Sequence, residues 1–98
     1  MKKRIYDYKL EISDKVQTIL VLDNSVIIFL KVQDNSINLW MENIDCRPYS
    51  KYVKRSFKIY NPGDVIEVAD NYLGTVFRGE SIWHVYERYL DEDKKETP

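Results

Sequence analysis

Residues 25–42 read Ser25-Val26-Ile27-Ile28-Phe29-Leu30-Lys31-Val32-Gln33-Asp34-Asn35-Ser36-Ile37-Asn38-Leu39-Trp40-Met41-Glu42, and this stretch decides the fold class. Val26 to Leu30 is an unbroken apolar run, which predicts a strand covered on both faces. Ile37, Leu39 and Met41 alternate with Asn38, Trp40 and Glu42, which predicts a strand covered mainly on one face. Asp34-Asn35 between them is a turn dipeptide, so the simple reading is a tight hairpin of Ser25–Val32 and Ser36–Asn43 in the middle of the core.

Working outward, the same period of two recurs. Tyr6, Tyr8, Leu10 and Ile12 share one face of Arg4–Ile12, and Asp7, Lys9 and Glu11 the other. Val16–Leu22 is a second strand, ended by Asp23-Asn24. On the C-terminal side, Pro48 excludes a central strand from residues 43–51. Tyr52–Tyr60 is a fifth strand, closed by the turn signal Asn61-Pro62-Gly63-Asp64. In Val65–Asn71 a capping-box pattern, Asp64 with Glu67, competes with the β-branched Val65, Ile66 and Val68, and the β-branched residues favour an extended or irregular chain. Tyr72–Phe77 and Ser81–Glu87 follow, the latter apolar on both sides at Ile82, Trp83, Val85 and Tyr86 and therefore internal to a sheet. The expectation is an all-β fold of about seven short antiparallel strands in a small sandwich or partly open barrel, with consecutive strands paired. Residues 1–90 form a single β domain, and residues 91–98 a charged C-terminal tail.

Composition limits the function classes. Ninety-eight residues support one core that buries roughly two-thirds of the unfolded chain's surface. A net charge of −1 gives no global attraction to nucleic acid or membrane, so an electrostatic partner must be read by a local patch. A single cysteine forbids an internal disulfide, the basic Met1–Arg4 start has no apolar stretch behind it, and the longest apolar run is about a quarter of the ~20 residues of a membrane helix. These features predict a soluble, intracellular protein with no cofactor. Eight tyrosines are many for this length, and tyrosine suits both strands and interfaces.

The catalytic and metal-binding candidates are thin. His84 is the only histidine, and no nucleophile stands near it in sequence; its plainer role is to order a sheet by hydrogen bonding. Cys46 beside Arg47 would have a lowered pKa, yet no second thiol accompanies it. One cysteine and one histidine do not make a four-ligand zinc site. Glu11, Glu42, Glu67 and Glu87 are expected as exposed carboxylates. No enzymatic activity and no metal are predicted.

The strongest candidate site lies between Arg47 and Tyr60. Arg47, Lys51, Lys54, Arg55 and Lys58 run without an intervening acid. Alternation puts Tyr52, Lys54, Ser56, Lys58 and Tyr60 on one face, with Val53, Phe57 and Ile59 on the other. Arg55 falls on the apolar side, where its stem would pack and its head escape at an edge. Arg47, Lys51, Tyr52, Lys54, Ser56, Lys58 and Tyr60 together combine cations with stackable rings, as single-strand nucleic-acid platforms do. The plain alternative is a solvated strand face whose lysines block edge pairing.

Several blocks, in order, resemble one known family: Ile5-Tyr6-Asp7-Tyr8-Lys9-Leu10-Glu11-Ile12, Gln17-Thr18-Ile19, Leu39-Trp40-Met41, Tyr72-Leu73-Gly74-Thr75 and Ile82-Trp83-His84-Val85-Tyr86-Glu87. The family comprises short uncharacterised proteins of phages and prophages, a domain of unknown function, with a pattern KYxLE, QTI, LWA, YIGT and VWHVFE. Its glycine-threonine-glycine-histidine-proline stretch is replaced here by Tyr60-Asn61-Pro62-Gly63-Asp64-Val65, so any chemistry of that stretch is in doubt in this chain. The resemblance implies a phage or prophage origin and a bacterial cytoplasm, and it implies no activity. With the composition, it leads to a non-catalytic phage accessory protein that binds a host or phage protein, as an inhibitor of a bacterial defence system would, and that forms a homo-oligomer to cover its apolar strands. The competing expectation is a binder of nucleotides or single-stranded nucleic acid through the Tyr52–Tyr60 face.

Overall fold

Alternating apolar positions give strands throughout the computed structural model, which describes residues 2–45 and 51–89. Cys46, Arg47 and the charged tail at 91–98 lie outside the described residues. The strands are β1 (Lys3–Glu11), β2 (Gln17–Leu22), β3 (Val26–Gln33), β4 (Ser36–Ile44), β5 (Tyr52–Tyr60), β6 (Asn71–Arg78) and β7 (Ser81–Arg88). They form two antiparallel sheets, sheet A in the order β1-β4-β3 and sheet B in the order β2-β5-β7-β6. The architecture is a sandwich rather than a closed barrel. Val65–Asp70 is irregular, with one turn closed by the Asp70 N–H donating to the Glu67 carbonyl.

The core lies between the sheets. Leu10, Ile37, Leu39 and Met41 of sheet A meet Val21, Phe57, Ile59, Val76, Trp83 and Val85 of sheet B. Each fully buried side chain of this kind contributes about 1.5–3 kcal/mol. Only the β3–β4 and β6–β7 pairings join consecutive strands, turning at Asp34-Asn35 and Gly79-Glu80, where Asp34 and Gly79 take positive φ. The expected pairing of neighbours fails at β1–β2, β2–β3 and β4–β5, because the chain changes sheet at each, and at β5–β6, because β7 lies between them. β1 pairs with β4, and β2 with β5.

The first two crossings leave backbone groups at strand edges, and a side-chain carboxamide satisfies each pair. The Glu11 N–H donates to Gln17 Oε1 at 2.8 Å, and Gln17 Nε2 donates to the Glu11 carbonyl at 2.8 Å. The Ile44 N–H donates to Asn24 Oδ1 at 3.0 Å, and Asn24 Nδ2 donates to the Ile44 carbonyl at 3.2 Å. Val26 pairs with Glu42, so Asn24 stands where the next β3 residue on that face would meet Ile44. Buried or edge amides need such partners, since an unmet backbone group costs as much as a lost hydrogen bond.

The central hairpin departs from expectation in one respect. β4 is the middle strand of sheet A and carries the burial, whereas β3 is its edge. Val26, Ile28 and Phe29 are 61%, 47% and 57% exposed. The apolar run does not reflect cover on both faces, because no described residue packs on the outer face of sheet A. A bulge at Ile28 also breaks the register with β4. A second bulge interrupts β6 at Leu73, and there β6 lies against β3. Gly74 permits this approach, since a Cβ on it would stand 2.6 Å from Leu30 Cδ1. β7 is internal to its sheet, as its two apolar faces predicted.

Arg55 corrects another expectation. Its head does not escape to solvent. Nε donates to Glu87 Oε2 at 2.7 Å, Nη2 to Glu87 Oε1 at 2.6 Å and Nη1 to the Ser25 carbonyl at 2.8 Å. The Glu87 side chain is 5% exposed, so it is not the exposed carboxylate that strand statistics suggest. The hydrogen bonds that Arg55 donates to Glu87 raise the Arg55 pKa, against the opposing effect of burial.

Two stability predictions follow from these contacts. Gly74→Ala should cost about 1–3 kcal/mol by overpacking, read by urea unfolding, and Leu30→Val in the same background should recover part of it. Arg55→Met or Glu87→Leu alone should cost about 3–5 kcal/mol by leaving a buried charge unpaired. The double variant should cost much less, with the Ser25 carbonyl as the remaining unmet group. Equal losses in single and double variants would show that the pair is not coupled.

Candidate binding surface around Tyr52

The alternation of β5 is as the sequence predicts, with Val53, Arg55, Phe57 and Ile59 turned inward and Tyr52, Lys54, Ser56, Lys58 and Tyr60 turned outward. The outward face nevertheless divides into two halves. At its C-terminal half the side chains are part of the fold. Ser56 is buried, its hydroxyl 2.7 Å from that of Thr18, its partner on β2. Lys58 donates to the Asp14 carbonyl and lies 5.1 Å from the centre of the Tyr60 ring.

Tyr60 is 2% exposed. Its hydroxyl donates to Asp70 Oδ2 at 2.7 Å and accepts from Arg88 Nη2 at 2.9 Å. Arg88 also donates to both Asp70 oxygens, Nε to Oδ1 at 3.1 Å and Nη2 to Oδ2 at 3.2 Å. Tyr86 packs edge-on between Tyr60 and Tyr72, with centroids 5.4 and 5.3 Å away. Ser56, Lys58 and Tyr60 are therefore not open to a partner in the way the candidate face required.

The N-terminal half is open. Lys51, Tyr52 and Lys54 are exposed, Tyr52 by 69%, and Leu20 beside Lys54 on β2 is 59% exposed. Tyr6 and Tyr8 of β1 join them from the other sheet. Burial raises the pKa of Tyr8, and the neighbouring Tyr52 and Tyr6 hydroxyls raise it further. The result is a rim in which Tyr52, Leu20 and the two lysines lie on the outer face of sheet B, while Tyr6 and the half-buried Tyr8 approach Tyr52 from the core-facing side of β1. Arg47 lies outside the described residues.

A family model described as Domain of unknown function (DUF7352) matches residues 1–96. The chain belongs to this family. No curated protein and no solved structure matches it. The family description carries no activity, so the geometry of this chain has to supply the functional reading.

His84, in the segment Ile82–Glu87, pairs in register with Thr75, in the segment Tyr72–Thr75. Its Nδ1 is 2.9 Å from the Thr75 hydroxyl, which is in turn 2.5 Å from the Tyr72 hydroxyl. Among the described residues, two shallow clefts lie elsewhere. One of about 290 Å³ follows the β3–β6 seam at Ile28 and Gly74, and one of about 140 Å³ lies at Asn24, Val26 and Ile44. His84 lines neither. Among the described residues no group of three or more His, Cys, Asp or Glu side chains is placed to hold a metal ion. Among the described residues no helix is long and apolar enough to cross a membrane.

Sequence reasoning missed Leu20, Thr18, Asp70 and Arg88. Leu20 had a signal, an apolar residue on the polar side of a strand. Asp70 and Arg88 had none, because they meet only through the path of the 61–70 loop over sheet B.

Burial opposes ionisation of Asp70, but hydrogen bonds from Arg88 and Tyr60 outweigh it and hold its pKa below the usual carboxylate value. A lowered folded pKa contributes stability that is complete above the unfolded value, and this is lost as pH falls through the folded one. The window therefore lies below about pH 4. Asp70→Asn should lower stability at neutral pH and flatten the acid loss, measured as urea midpoints between neutral and strongly acid pH. A variant whose acid profile parallels the wild type would show that Asp70 carries no part of that loss.

Proposed function

We propose that this protein is a non-catalytic phage accessory protein that works by protein–protein contact through the Tyr6–Tyr8–Tyr52 rim, in the manner of an inhibitor of a bacterial defence system. The supporting observation is the rim itself. It sets the exposed Tyr52 and Leu20 on a rigid two-sheet frame, with Lys51 and Lys54 beside them and Tyr6 and the half-buried Tyr8 at the neighbouring edge of sheet A. Tyrosines supply large contact area at low entropic cost, and buried aromatics dominate interface energies. The lysines favour an acidic partner surface and would speed its encounter. The phage setting, the bacterial cytoplasm and the defence target rest on the family resemblance.

A second reading is a nucleotide or single-stranded nucleic acid stacked on the same tyrosines. The participation of Tyr6 and Tyr8 favours it, since stacking platforms draw rings from several strands. Against it, Arg55 and Arg88 are consumed by Glu87 and Asp70, and Lys58 by a backbone carbonyl. Lys51 and Lys54 alone would neutralise about two phosphates, which gives weak, strongly salt-limited binding.

A photo-crosslinking residue at position 20 in phage-infected cells should give a discrete protein adduct that Tyr52→Ala abolishes, while the same probe at position 80 gives none. Anisotropy of a labelled single-stranded oligonucleotide should show little binding at physiological salt. Tight, salt-dependent binding lost in Lys51→Glu/Lys54→Glu, without a protein adduct, would replace the first reading with the second.

A further inference from the structure

The outer face of sheet A remains unused by this reading. Its side chains fall in cross-strand rows set by the register: Ile5–Glu42–Val26, then Asp7–Trp40–Phe29, then Lys9–Asn38–Lys31, then Glu11–Ser36–Gln33, with Lys3 beside Ile44 at the far end. Ile5 is 56% exposed, and with Val26 and Phe29 it surrounds the half-buried Trp40. The Phe29 and Trp40 rings pack at 5.7 Å with their planes tilted by 55°. An apolar centre within a charged rim marks an interaction surface rather than scattered exposure.

We infer that this face is closed by a second copy of the chain, the two sheets packed face to face about a two-fold axis that runs across the strands through the Trp40 row. The charge pattern selects this occupant and this axis. Such a rotation lays the Trp40 row on its own copy. It also sets the row containing Glu42 over the row flanked by Lys9 and Lys31, and Lys3 over Glu11. The other in-plane axis, along the strands, would set Glu42 against Glu42 and Lys9 against Lys31. The surface is thus more complementary to itself in the first orientation, where Asp7 on its own copy is the one like-charge contact, than in the second, as an isologous contact requires.

Glu42 is already held by Lys3 at 3.2 Å, which orders its carboxylate toward the rim. Three strands about 4.8 Å apart, with residues rising about 3.3 Å, give a face roughly 14 Å by 30 Å. That footprint is small for a stable complex, so the dimer is expected to be a weak one.

Sedimentation equilibrium of the full chain over a wide concentration range tests the inference. The wild type should pass from monomer to dimer, and Phe29→Lys should raise the dissociation constant about tenfold or more while the melting curve is unchanged. Glu42→Lys and Lys9→Glu/Lys31→Glu should each be monomeric alone and should form a heterodimer when mixed. A wild type that stays monomeric throughout overturns the proposal and leaves the face to another protein. A folded Phe29→Lys that still dimerises overturns it by placing the contact elsewhere, and failure of the charge-swapped pair to associate overturns the axis.

Discussion

A guanidinium carried between two β-sheets must be answered there, and Arg55 is answered by Glu87 and the Ser25 carbonyl. The cost of desolvating both charges is offset only when the geometry is complete. β5, β7 and the point where the chain enters β3 are therefore coupled through one side chain. The next residue of β7 repeats the device on the opposite face, where Arg88 meets Asp70 and Tyr60. Successive residues of a strand point to opposite sides. The Glu87-Arg88 pair thus anchors the sandwich interior with one charge and the 61–70 loop with the other.

The strands were legible because period two is a local property. Tyr52–Tyr60 is read from sequence with its observed bounds, and the irregular stretch read as Val65–Asn71 and the hairpin strands read as Ser25–Val32 and Ser36–Asn43 lie within a residue of theirs. What was hidden is relational. The Val26–Leu30 run says that five apolar residues are adjacent, and it does not say whether a second layer covers their outer face. Alternation placed Ser56 and Tyr60 beside Tyr52 and Lys54 correctly, yet their cover comes from Thr18 and Asp70, which no spacing rule connects to them. Arg55 could be assigned to the inner face from sequence, and only the fold shows the carboxylate waiting there.

The surfaces left after these internal commitments are few and distinct. Cations that looked available along β5 are partly spent on structure, which shifts the balance from nucleic acid toward protein contact at the tyrosine rim. That rim belongs to both sheets, since Tyr6 and Tyr8 lie on β1 and Tyr52 on β5. The outer apolar face belongs to sheet A alone. Occupation of one does not obstruct the other, so a paired molecule would display two rims.

The exchange of sheets by β1 and β2 has a consequence for biogenesis. Lys3 pairs with Ile44, and Gln17 with Phe57, so β1 and β2 wait for partners made much later. The last strand then supplies the anion that Arg55 needs. Closing such distant pairs is entropically slow. Until β6 is made, the apolar run of β3 has only its hairpin neighbour for company, so a chaperone's attention would fall first on Val26 to Leu30.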